Sequence, residues 1–330
     1  MRTKKEQNTY NLSQAESVFE ILKIFEDGFK PGFFTNQDLY NLSQTSKTMH
    51  KVVSGELNQR AAQKLLTHVV LGEQDKAEAM IKANNKLLYI KTSAKDYSGR
   101  TIIATPFQAA IGAGDKPMWE MMLPYFKELD KGEALRQFYD QLPEGIEGDV
   151  SAEELKLYYN DIASAIIKDD DNDLSAIERF RKEITSQNEI TQGKHFNLQH
   201  LVAAYQAYID NFDALATSVK RDTFWQKIIG YVQRQMTAYD AQVHCSGIQN
   251  ETKFSRTLSL ANSGEFFPLS CDSGLGFDFV VFSRCSVGGG ESRVVAALVA
   301  LVARKLCETK TNNLDELRES LEQGMRYQPQ

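Results

Sequence analysis

Apolar side chains recur at three- and four-residue intervals along most of this chain, and the stripes they draw are helical. Val18, Ile21, Leu22 and Phe25 form a first stripe, which Gly28, Pro31 and Gly32 break. Leu39, Leu42, Ser46, Met49 and Val53 form a second, with Asn36 as its expected N-cap. Leu65, Leu66, Val69 and Val70 make a helix ending near Gly72, and Ala77, Met80 and Ile81 make its partner. The clearest local grammar comes next. Thr105 suits an N-cap, Pro106 suits the first turn because its missing N–H costs nothing there, and Gly114 accepts the positive φ that stops a helix. Met118, Trp119, Met122 and Leu123 then restart an apolar face.

Pro143, Gly145 and Gly148 mark a break, after which Ser151 and Glu154 are spaced as a capping box. The helix they open carries Leu155, Tyr158, Ile162 and Ile166, and the following one carries Leu174, Ile177, Phe180 and Ile184. Two strongly aromatic helices come next, through Leu201, Tyr205 and Ile209, then through Phe224, Trp225, Ile228 and Val232. From Asp240 the character changes: residues 265–269 and 276–282 read as strands, a helix spans 292–305, and Asn313 is expected to cap a last helix. The expected fold is mainly α, with a small α/β region at the C-terminal end. Its stretches are 11–60 and 61–140, a helical 150–239, and 240–330.

Composition narrows the function. A net charge of −6 over 330 residues argues against a nucleic-acid binder held by phosphate contacts, which would be basic overall or along one stripe. The longest apolar run, Val294 to Ala303, is short of the ~20 residues that cross a bilayer and reads as a buried helix. The start, Met1 to Gln7, lacks the apolar core of a signal peptide, so any export is expected to use another signal. Cys245, Cys271, Cys285 and Cys307 form no C-x-x-C pair and read as reduced thiols.

Candidate chemistry is sparse, and no metal or cofactor is expected. Asp169, Asp170, Asp171 and Asp173 imitate a calcium loop, yet Leu174 and Phe180 stand where its glycine and glutamate belong. His195 and His200 are spaced wrongly for two ligands on one helical face. Gly288-Gly289-Gly290 before a helix would attract anions, but Glu291 repels them and the run lacks a phosphate-loop lysine. A cysteine nucleophile, Cys271 or Cys245, served by His244 and by Asp272 or Asp278, is the enzymatic alternative.

The first two stripes resemble an F-box through Phe19, Ile21, Leu22 and Phe25, then Asp38-Leu39, then Thr45-Ser46-Lys47 and Met49-His50. The usual Leu-Pro opening is missing; Glu16-Ser17 stands near it. Residues 61–140 resemble degenerate ankyrin repeats: Thr105-Pro106-Phe107-Gln108-x-Ala110 follows the T-P-L-H-x-A motif, and Asp96 to Thr101 follows the turn that opens a repeat. Ile102 to Thr105 enlarge that loop relative to the consensus. The whole is similar to effectors that intracellular bacterial pathogens deliver into host cells by type IV secretion. Those share stretches like Phe267-Pro268-Leu269 and Gly274-Leu275-Gly276-Phe277-Asp278-Phe279, and an acidic tail like Asp315, Glu316, Glu319 and Glu322.

This resemblance implies a non-catalytic protein–protein interaction module acting in the host cytosol. Val18, Leu22, Phe25, Asp38, Leu39 and Lys47 would dock on the adaptor subunit of a cullin–RING ubiquitin ligase or another host protein. Trp119 would belong to the target-binding groove, and another effector is the alternative partner.

Overall fold

The computed structural model describes residues 34–130, 132–146, 150–168, 175–186, 188–246 and 293–326. The stripe from Val18 to Phe25, the acidic run 169–173, the expected strands at 265–282 and the loop Gly288 to Gly290 lie outside the described residues. The protein is mainly helical, with a small three-stranded sheet among the described residues. It divides into two units, residues 1–60 and 61–330.

In the first unit, α1 (Asn36–Ser43) opens on a reciprocal cap. Thr35 N donates to Asp38 Oδ2 at 2.9 Å, and Asp38 N donates back to Thr35 Oγ1 at 3.2 Å. The N-cap is therefore Thr35 rather than Asn36, whose side chain instead accepts from Arg60 Nη1 at 3.0 Å. Helix α2 (Lys47–Val70) runs without interruption, so the stripes read separately at 39–53 and 65–70 share one long helix from Lys47 on. Gly55 lies within it, with open space where a side chain would stand.

The second unit has two apolar cores. The first gathers α3 (Gln74–Ala83), a short 3-10 turn (Asn85–Tyr89), the hairpin β1 (Thr92–Lys95) and β2 (Thr101–Ala104), α4 (Pro106–Ala113), α5 (Lys116–Leu129) and α6 (Glu133–Gln141). Helix α4 starts and stops as its sequence dictates. Thr105 N donates to Gln108 Oε1 at 3.0 Å, Gln108 N donates to Thr105 Oγ1 at 3.2 Å, and Gly114 ends the helix at φ 67°. Of the expected enlarged loop, Ile102 to Thr105, residues 102–104 instead belong to the strand β2. It pairs antiparallel with β1 and parallel with β3 (Glu189–Ile190).

The second core gathers α7 (Ala152–Lys168), α8 (Ser175–Ile184), α9 (Gln199–Asp210), α10 (Ser218–Phe224), a π-helical turn (Trp225–Ile229), α11 (Gly230–Arg234) and α12 (Ala238–Ser246). Ser151 and Glu154 form the expected capping box on α7. Helix α13 (Arg293–Arg326) serves both cores. Ala296, Val299, Ala300, Ala303 and Leu306 enter the second, and Leu314 and Leu317 enter the first. Two expectations fail here. Asn313 caps nothing, because buried anchors at Leu306, Lys310, Leu314 and Leu317 keep the helix running, and its side chain accepts from Lys116 Nζ instead. The apolar run Val294 to Ala303 is only half buried: Val294, Leu298 and Leu301 are 69%, 50% and 53% exposed.

Candidate functional site

Among the described residues, a cluster of buried polar groups lies where the two cores of the second unit meet. The turn Asp96–Arg100 reverses the hairpin, and Asp96 Oδ1 fixes it by accepting from Ser98 N at 2.9 Å and Arg100 N at 3.0 Å. Asp96 Oδ2 then holds the Arg100 guanidinium through Nε at 2.9 Å and Nη2 at 2.8 Å, both partners buried. Arg100 Nη1 is thereby aimed at the backbone oxygen of His195, to which it donates at 2.5 Å.

His195 belongs to a strap, residues 191–198, that joins β3 to α9. Gly193 N donates to Gln141 O at 2.6 Å, and Gln141 Nε2 donates to Gly193 O at 2.7 Å. His195 N donates to Gly112 O at 2.8 Å, and Asn197 Nδ2 donates to Val150 O at 2.8 Å. The His195 imidazole rests on Gly112, where a methyl group would overlap the ring. Its Nε2 is buried with no hydrogen-bond partner. Burial, then the nearby charges of Arg100 and Lys310, press its pKa down to about 3, so the ring is neutral.

Lys310 reaches the same region from α13. Its stem crosses Gly114, and its Nζ pairs with the buried Asp240 Oδ1 at 2.6 Å. Asp240 is held in turn by Thr237, whose Oγ1 accepts from Asp240 N at 3.2 Å. Two clefts flank the strap, about 230 Å³ and 430 Å³, and Lys194, Phe196 and Asn197 line both. In the larger, Tyr158 donates its hydroxyl to Glu183 Oε2 at 2.6 Å, and Tyr159 bonds His200 Nδ1 at 3.1 Å. Burial, reinforced by the Glu183 bond, raises the Tyr158 pKa, and burial raises that of Tyr159, so both phenols stay protonated as hydrogen-bonding groups.

The residues expected from sequence to form a site are not among those described above. Val18, Leu22, Phe25, Cys271 and Asp278 lie outside the described residues; His244 falls within α12, its side chain undescribed. Asp38 is exposed and engaged in the Thr35 cap, and Lys47 is exposed at the start of α2. Leu39, 0% exposed, and Trp119, 1% exposed, are core residues rather than surface anchors. Both side chains face the protein itself. Arg100, His195, Asp240 and Lys310 carried no local signal beyond the Asp96-x-Ser98-Gly99 turn pattern, which marks the bend but not its partner. Among the described residues no group of three or more His, Cys, Asp or Glu is placed to hold a metal ion, and no helix is long and apolar enough to cross a membrane.

Residues 200–321 match the CBUA0006 C-terminal domain family. That span runs from α9 into α13 and contains both members of the Asp240–Lys310 pair. Over 296 residues, 81% of this chain and 77% of the relative, the protein is 26% identical to the uncharacterized protein CBUA0006 of Coxiella burnetii (strain RSA 493 / Nine Mile phase I). The likeness therefore extends beyond the matched C-terminal domain to the first core and the strap. No solved structure matches.

Proposed function

We propose that the protein is a non-catalytic interaction module, a bacterial effector acting on host proteins. The observation that carries this reading is the row Val294, Leu298 and Leu301, spaced four and three residues apart along one face of α13 and at least half exposed. A 34-residue helix anchored in two cores presents that face rigidly, which is how apolar hot spots are offered to a partner. The secreted-effector part draws support from the resemblance of the Phe-Pro-Leu and Gly-Leu-Gly-x-Asp-Phe stretches and from the likeness to a bacterial protein.

Recruitment of a cullin–RING ligase through the F-box-like region is the specific form of this proposal. It rests on Val18, Leu22 and Phe25, because burial of Leu39 leaves that residue to the fold. The test is co-purification of the intact chain with the purified adaptor subunit, before and after Leu22→Asp. Retention that Leu22→Asp abolishes supports the ligase form; no retention of the unmutated chain ends it.

A further inference from the structure

His195 is enclosed by groups that would oppose a proton on its ring. Arg100 faces it from the hairpin and Lys310 from α13, while their carboxylates Asp96 and Asp240 are already paired with them. Gln141, beside the ring from α6, is a neutral amide. Lys194, its chain neighbour, adds a positive charge, and across the larger cleft Glu183 is engaged by Tyr158 and His200 by Tyr159. The strap that carries His195 is short, eight residues between β3 and α9. We infer that residues 191–198 form an acid-released strap: a proton on His195 lifts the ring off Gly112, frees Gly193 from Gln141, and merges the two clefts that Lys194, Phe196 and Asn197 divide.

The direction follows from linkage. Seated, the ring binds a proton only near pH 3; released, it binds one near its ordinary value of ~6.5. The released form therefore holds more protons between those values and gains population as the pH falls through that window, with no effect above it. From pH 7.5 to pH 5 the released population rises about 30-fold.

Amide hydrogen exchange on the full chain at both pH values, corrected for intrinsic rates and read on peptides covering 191–198, tests this. The expected result is an approximately 30-fold loss of protection at Gly193 and His195, with α4 and α9 unchanged, and less than about 3-fold loss in His195→Gln. Gly112→Ala, which pushes the ring off at neutral pH, is expected to expose the strap at pH 7.5 with no further acid response. Unchanged wild-type protection, an equal loss in His195→Gln, or a parallel loss in strap and helices would each overturn the inference. Should His195→Gln fail to fold, the wild-type contrast between strap and helices still decides.

Discussion

The two cores of the second unit are held by different means. The first is fixed mostly by the backbone: a capping box at Thr105, left-handed glycines at 72, 99 and 114, and small residues such as Ala109 and Ala110 that let helices approach. The second is fixed by rings. Tyr208 meets Trp225 with centroids 5.2 Å apart and planes at 63°, and Tyr159 meets Phe180 at 6.0 Å and 65°, both edge-on. Its chain carries a π-helical turn at Trp225–Ile229, and Trp225 Nε1 and Gln233 Oε1 are buried without partners. Local caps and turns set the helix ends of the first core, and a ring pair, Phe107 on Phe126 at 4.9 Å, packs its interior. Long-range packing builds the second and tolerates irregular backbone to complete it.

The contrast is sharpest at the largest substitutions. Trp225→Ala should cost about 3–5 kcal/mol in denaturant unfolding, since it empties the centre of the ring cluster. A loss below about 1 kcal/mol would show that ring packing does not hold the second core. Lys310→Met should cost about as much, because it strands the Asp240 carboxylate in a dry site. The pair Lys310→Met with Asp240→Leu should recover most of that loss. If the double variant is no more stable than the single, the salt bridge is not the link between α13 and α12.

Gly114→Ala comes next. Alanine at φ 67° is strained by about 1–3 kcal/mol, and its methyl would also displace the Lys310 stem. The effect should shrink in a Lys310→Ala background, a coupling that thermal unfolding of the four proteins in the cycle would measure. Thr105→Ala should cost about 1 kcal/mol through the lost cap. It also strands Gln137 Oε1, which now accepts from Thr105 Oγ1 at 2.5 Å.

Legibility in the sequence divides by range rather than by core. Thr105, Pro106, Gly114, Ser151 and Glu154 announce helix ends because each acts on backbone groups within a few residues. The hairpin was hidden: four-residue strands are too short to show alternation, and the parallel pairing of Thr101 with Glu189 is fixed far along the chain. The His195 seat needs Gly112 and Gln141 together, so no local pattern could disclose it. Leu39 and Trp119 show a further limit. Helical spacing says that one face is apolar, and it does not say whether this chain or another covers that face.

That limit sets the smallest and most discriminating prediction. Leu298 and Leu301 are about half exposed, so Leu298→Asp and Leu301→Ser should each shift stability by no more than about 0.5 kcal/mol. Ala303, two residues beyond Leu301 and so on the opposite face, is fully buried, and Ala303→Asp should unfold the second core by placing an unpaired charge inside it. Chemical denaturation of the three variants measures both sides of one helix. A loss of 2 kcal/mol or more at Leu298 would mean that the protein's own chain covers the row, and the interaction reading would lose its surface. A neutral result at Leu298 and Leu301 beside collapse at Ala303 leaves an apolar face that the fold does not need. An apolar row that contributes nothing to stability yet stays in water raises the free energy of the isolated protein, and a partner that covers it recovers that free energy as affinity.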